Sequence, residues 1–284
     1  MVHLPGQIIR HLRRNTGVSL RWLTRMSSRL DRTFQASASV VRRPGTDGLD
    51  EVVINGTPFI WPAPSPLKGL VMTAAELMLP QHPHQYLWEG TQIERGDVVI
   101  DVGCCEGSFA AKAGELGASV VAVEPSRVMQ LVITRLFELR KLPLPVIAPI
   151  ALGAAGETEI SFTDNITNPG ASCIGNSADA PTDQTAETYP VRLITLDAMV
   201  AELGLHKVDF IKCDAEGFDL DVLRGSMQTI RRHKPKLAFC TYHKSDHFAE
   251  MKKLLADCGY TLRGKGLFNT AGEFNVMMLH AWPK

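Results

Sequence analysis

From Gly96 onward, short apolar runs alternate with stretches whose apolar residues recur at helical spacing, and this alternation limits the fold more than any other feature. Residues 98–102, 120–124, 191–193, 208–213 and 237–242 read as strands, and 108–116, 127–140, 220–231 and 248–258 as helices. Strands that are apolar on both faces must be covered on both, which predicts an α/β fold with a parallel, doubly wound sheet. A chain of 284 residues, 45% of them apolar and 21% charged, can bury such a core. No apolar run approaches the roughly 18 to 20 residues of a bilayer-spanning helix, and no internal repeat is visible.

Basic and acidic residues balance at 30 each, so no net field recruits nucleic acid and none is expected as a partner. The balance hides a lopsided start: residues 1–43 hold nine arginines against one acid, Asp31. Leu20, Leu23, Met26, Leu30 and Phe34 recur at spacings of three and four, with Arg21, Arg25, Arg29 and Arg32 opposite, which predicts a basic amphipathic helix. Three roles stay open for this arm: packing on the domain with its arginines in water, peripheral contact with an anionic surface, or organelle targeting. Pro58, Pro62, Pro64 and Pro66 forbid a long helix next, so residues 44–66 read as a linker with a strand or hairpin near 52–60. The division is then 1–66 for arm and linker and 67–284 for the α/β domain.

Residues 153–189 break the rhythm at Asn165, Asn168, Pro169, Gly170, Gly175 and Asn176, and read as a long loop that is a candidate substrate cover. The cysteines, Cys104, Cys105, Cys173, Cys213, Cys240 and Cys258, show neither a C-x-x-C pair nor zinc-type spacing. They fit a reduced, cytoplasmic setting and assign no metal site. His82 and His84, in QHPHQYLW, read as solvated loop residues.

Four motifs carry chemistry. VVIDVGCCEGSF is a strand that ends in Asp101, turns through Gly103 and Gly107 and enters a helix near Ser108. Glycines there let backbone approach a ligand at the carboxyl edge of the sheet, where Asp101 can accept hydrogen bonds. In VVAVEP, Glu124 ends the next strand 21 residues after Gly103, a position from which a carboxylate can receive both hydroxyls of a ribose. Together they point to an adenosine-containing cofactor. The turn reads G-x-x-x-G, without the G-x-G-x-x-G phosphate cradle, which favours S-adenosylmethionine over a nicotinamide dinucleotide. VDFIKCDAEGFDLDVLRGS puts Lys212, Asp214 and Glu216 at the polar end of a strand, where alternation is expected to aim all three at one face. PKLAFCTYHKSDHF is a strand ending at Tyr242 and His243, a histidine type that titrates near neutrality and can take a hydroxyl proton.

On these motifs the chain resembles the FkbM family of methyltransferases, over about residues 93–260. The most specific part is FIKCDAEGFDLDVLRGS followed by HKPKLAFCTYHK, similar to the family's I-K-x-D-x-E-G-x-E-x-x-x-L-x-G-A block and the P-K-L-A-x-x-x-Y-H segment of one branch. The resemblance implies a class I methyltransferase fold, Rossmann-like and doubly wound. Its mostly parallel seven-stranded sheet ends in an antiparallel hairpin near Leu267 and residues 274–281, and the basic helical arm precedes it. It also implies S-adenosylmethionine as cofactor and, usually, O-methylation of a sugar or secondary metabolite, so the expected partner is a small-molecule or glycan acceptor. Asp101, Gly103 and Gly107 would lie near the cofactor's methionine end and Glu124 on its ribose. Asp214, Glu216 and His243 are the candidate bases or acceptor-binding groups, and Lys212 the group that orients the carboxylates. Departures are Cys104 and Cys105, where many members have Ala-Asn or Gly-Cys, and Asp219, which replaces a glutamate. Two rival readings remain: a non-catalytic module that uses its basic arm on an anionic partner, and a nicotinamide-dependent oxidoreductase. No feature assigns an oligomeric state.

Overall fold

The computed structural model describes residues 27–169, 172–174, 186–270 and 273–284. Helix α1 (Ser27–Ser37) leads into strands β1 (Val40–Arg43), β2 (Leu49–Ile54) and β3 (Thr57–Pro62), an antiparallel sheet followed by helix α2 (Lys68–Met78). Phe34 on α1 packs with Val52, Ile54, Phe59, Trp61 and Leu70, while Arg29 and Arg32 stay exposed. Asp31, the arm's one acid, is buried and pairs with His82 at 3.0 Å. Leu20, Arg21, Leu23, Arg25 and Met26 lie outside the described residues. The segment 44–66, read as a linker with a strand or hairpin near 52–60, carries the β2–β3 hairpin, and Leu49 packs against Met129 and Val132.

The alternation seen in the sequence then unfolds as β4 (Val98–Val102), α3 (Ser108–Glu115), β5 (Ser119–Val123), α4 (Arg127–Leu139) and β6 (Val146–Ala148). Next come β7 (Ala151–Leu152), β8 (Thr158–Asn165), β9 (Cys173–Ile174), β10 (Ala186–Ile194) and α5 (Leu196–Glu202). The last stretch is β11 (Phe210–Cys213), α6 (Asp219–Arg224), α7 (Met227–His233), β12 (Lys236–Cys240), α8 (His247–Leu255), β13 (Tyr260–Thr270) and β14 (Glu273–Pro283). The main sheet has the order β13-β14-β12-β11-β4-β5-β6, parallel from β12 through β6, with β14 antiparallel to both its neighbours.

Alternation of side chains along these strands builds two cores. Val99, Val120, Ala122, Phe210 and Ala238 face Phe109, Ala110, Leu136 and Phe137 of α3 and α4. Their neighbours Ile100, Val121, Ile211, Leu237 and Phe239 face the opposite layer, which includes Met199, Leu223, Ile230 and Met251 from α5 to α8. Each fully buried side chain of this size contributes about 1.5 to 3 kcal/mol, so both layers hold the sheet.

Two expectations need correction. Residues 153–189 are not a plain loop: β8 and β10 pair over eight residues, in a third sheet of order β7-β10-β8-β9 that also takes in 191–193. Gly170, Gly175 and Asn176 lie outside the described residues. The single helix expected over 220–231 is two, α6 and α7: at the break the Gly225 carbonyl accepts from the Asp197 amide at 2.9 Å, and a Cβ on Gly225 would collide with the Gly153 carbonyl. Among the described residues no helix is long and apolar enough to cross a membrane.

Candidate functional site

Strands β4, β5 and β11 all end at the same edge of the sheet, and a cleft of about 830 Å³, mouth included, opens there. Gly103, Cys105 and Glu124 line one wall, Asp214 and Glu216 the other, and Met129, Ile150, Leu152 and Phe162 add an apolar surface. Gly103 has φ +67°, and a Cβ on it would run into the Asp214 carbonyl, so only glycine lets the ends of β4 and β11 meet this closely. Gly107, also at positive φ, precedes α3 against Ile133 and does not line the cleft.

Glu124 is buried, and each carboxylate oxygen takes one backbone N–H: Oε2 from Cys105 at 2.7 Å and Oε1 from Ser126 at 2.9 Å. Each oxygen keeps a lone pair for a further donor. Burial pushes its carboxyl up to about 7, against the lowering effect of those two amides. Ser126 caps α4 and donates to Asp164 on β8, which also accepts from Tyr189 on β10 at 2.7 Å. The sheet of β7 to β10 is thereby tied to the cleft wall.

Asp101 and Lys212 are fully or nearly fully buried, adjacent in the β4–β11 register and paired at 2.9 Å. They share strand parity with Val99 and Phe210, so they point into the α3 layer, where the ammonium lies 5.2 Å from the Tyr86 ring centre. Lys212 Nζ also donates to the Gly103 carbonyl at 2.6 Å. Burial lowers the Lys212 pKa, but Asp101 and Asp214 outweigh it and hold the group well above its ordinary value. The expectation that Lys212, Asp214 and Glu216 point the same way is therefore corrected: β11 ends at Cys213, and only the two carboxylates reach the cleft. Asp101 and Lys212 brace the turn from beneath.

Asp214 sits at the centre of a charged cluster. Its Oδ2 accepts from Tyr86 Oη at 2.8 Å and lies 3.6 Å from His84 Nε2; its Oδ1 faces His243 Nε2 at 3.6 Å. Burial would raise its carboxyl, but the charges of His84, Lys212 and His243 and the Tyr86 hydroxyl hold it below the usual carboxylate range. His243 follows β12, which ends at Cys240, and its Nδ1 pairs with the buried Asp219 at 2.8 Å. Burial lowers the imidazole, yet Asp219, Glu216 and Asp214 together raise it to about 10. These neighbouring carboxylates favour its charged form. Glu216 has φ 45° and an exposed side chain, and Cys105 across the cleft has φ 47°. Left-handed non-glycine residues on both walls mark strain retained where a site is built.

Sequence reasoning missed Tyr86, Asp164 and the histidines. His82 and His84 are buried rather than solvated, and His84 Nδ1 lies 2.8 Å from Glu76. The compact QHPHQYLW string, with polar and aromatic residues mixed, was the available signal.

The profile of the FkbM methyltransferase domain matches residues 101–262, more than half of the chain. Among solved structures, a methyltransferase FkbM from Methylobacillus flagellatus is 19% identical with a TM-score of 0.47, over 76% of this chain and 54% of that one. This chain thus spans about half of that protein's length. The magnesium protoporphyrin IX methyltransferase from Synechocystis with bound S-adenosylmethionine is 15% identical over 67% of this chain and 71% of that one, with a TM-score of 0.37. A methyltransferase from Streptococcus mutans in complex with S-adenosylhomocysteine is 10% identical over 67% and 90%, with a TM-score of 0.40. No curated protein matches the chain in sequence. The chain belongs to the FkbM methyltransferase family, whose members use S-adenosylmethionine.

Proposed function

We propose that the protein transfers the methyl group of S-adenosylmethionine to a hydroxyl oxygen of a sugar, glycan or secondary metabolite. One observation carries this reading: a single cleft has Gly103 and Glu124 on one wall and two carboxylates, Asp214 and Glu216, on the other. The cofactor fits what is present. Glu124 has the lone pairs to receive two ribose hydroxyls, Gly103 leaves bare backbone beside it, and Met129, Ile150 and Phe162 offer apolar surface to a purine. Asp101, Gly107 and Lys212 hold the turn in place rather than touching the ligand.

When bound, the cofactor supplies an electrophilic methyl on a sulfonium. The protein's share is to hold the acceptor oxygen in line and to exclude competing orientations. Asp214 and Glu216 accept the acceptor hydroxyl's hydrogen bond, and exposed Glu216 would take the hydroxyl proton as the methyl group is transferred and pass it on to solvent. Six free cysteines agree with a cytoplasmic setting. The test is transfer of labelled methyl from S-adenosylmethionine to a panel of hydroxyl, amine and carboxyl acceptors, with the linkage read by mass spectrometry. Label on hydroxyl oxygen is the expected result. Cofactor binding without turnover on extracts of the native organism would favour a non-catalytic module instead.

A further inference from the structure

The charges around His243 have the form of a cation site. Asp214 Oδ1, Glu216 Oε2 and His243 Nε2 lie within 4.8 Å of one another. His243 Nε2 is 3.3 Å from the Glu216 oxygen and 3.6 Å from the Asp214 oxygen. Ligand atoms held about 2.1 Å from one ion stand roughly 3.0 to 3.4 Å apart, so the two His243 distances nearly match a shared ion.

A second observation points to a ligand. Asp214 Oδ1 is a buried atom without a hydrogen-bond partner among the described residues, and buried His243 Nε2, whose side chain is only 10% exposed, meets nothing nearer than the Glu216 carboxylate at 3.3 Å. Buried polar atoms are normally well paired, so this facing pair calls for an explanation. Asp219 accepts from the far nitrogen, Nδ1, the support that metal-bound imidazoles regularly have. Asp219 is itself held by the amides of Ala215 at 2.9 Å and Gly217 at 3.2 Å, in the strained turn that carries Glu216.

We propose that Asp214, Glu216 and His243 bind a divalent transition-metal ion at the edge of the cleft, with Asp219 as the positioning residue. One imidazole with two carboxylates suits Mn²⁺, Fe²⁺ or Zn²⁺ better than the all-oxygen preference of Mg²⁺ and Ca²⁺. A neighbouring cluster of His84, Asp214 and Cys240 is the weaker site because its atoms are already used. His84 Nε2 meets Cys240 Sγ at 2.9 Å, and Asp214 Oδ2 accepts from Tyr86. Three protein ligands leave coordination positions open to the cleft, for water or an acceptor oxygen. That last role rests on the methyl-transfer reading; the ion site does not.

The test titrates Mn²⁺ into the full chain, without cofactor, and reads the loss of the free-ion electron paramagnetic resonance signal, with Zn²⁺ as competitor. A single ion per chain is expected. Glu216→Gln and His243→Gln should each weaken it by at least the roughly 10- to 100-fold expected of the supporting change Asp219→Asn, and Cys240→Ala should leave it unchanged. Glu216 is 55% exposed, so Glu216→Gln keeps the fold; S-adenosylhomocysteine binding, measured on each variant, checks it. Absence of saturable Mn²⁺ or Zn²⁺ binding overturns the site, as does binding that ignores Glu216→Gln or is lost in Cys240→Ala. Ion binding without S-adenosylhomocysteine binding would leave the site standing and defeat the methyl-transfer reading; the reverse would do the opposite.

Discussion

The two walls of the cleft stand on the same sheet edge but treat their polar atoms differently. On the β4–β5 side, Glu124 is held by two backbone amides, and Asp101 beneath the turn is paired with Lys212. On the β11–β12 side, Asp214, His243, Asp219 and the exposed Glu216 form a cluster of facing side-chain charges with few backbone amides to fix them. A wall fixed by backbone is preorganised for one ligand. A wall of clustered side-chain charge takes its specificity from those side chains.

The largest effect should come from breaking the brace under the first wall. Lys212→Met leaves Asp101 as an uncompensated buried charge, which costs about 3 to 5 kcal/mol. A urea melt reads this. Adding Asp101→Asn should recover part of the loss; no recovery would mean that the pair is not what the lysine stabilises.

Next in size is the arm. Deleting residues 1–43 removes Phe34 from its core and Asp31 from His82, and truncating a buried Phe alone costs about 3 to 5 kcal/mol in a well-packed site, less where neighbours relax. Deleting only residues 1–26 should leave the melting temperature and S-adenosylhomocysteine affinity unchanged. If the shorter deletion also abolishes binding to anionic vesicles, the basic arm is the surface anchor; unchanged vesicle binding removes that role.

A smaller effect separates the walls by pH. Burial holds the Glu124 carboxyl at about 7, above its unfolded range. Between those values the folded protein keeps a proton that the unfolded chain has lost, so stability from this group falls as pH rises through the window. Cofactor affinity should rise over the same interval, because the ionised carboxylate accepts from both ribose hydroxyls. Denaturant melts and calorimetry at pH 5.5 and 7.5, on wild type and Glu124→Gln, check both signs: the variant should lose both trends.

The sheet and the first wall were legible because they follow from local rules. Strand parity set Val99 against Ile100, and the glycine turn and Glu124 lie within one β-α-β stretch. The second wall was legible in its residues but not its roles. Asp214, Glu216 and His243 could be named, yet the Asp219 carboxylate that raises His243 acts across the gap between two strand ends. Lys212 was misdirected because the strand stops one residue later, at Cys213. Burial of His82 depends on Asp31 in the distant arm, and that of His84 on Glu76 at the end of α2, so the QHPHQYLW string alone did not reveal either pairing.

The central claim, that the Gly103–Glu124 wall holds the cofactor's ribose, is tested most directly by calorimetric titration of S-adenosylhomocysteine into wild type and Glu124→Ala. Wild type should bind, and the variant should lose about 1.5 to 3 kcal/mol for each charge-assisted hydrogen bond removed. Undiminished affinity in a correctly folded Glu124→Ala protein would contradict it.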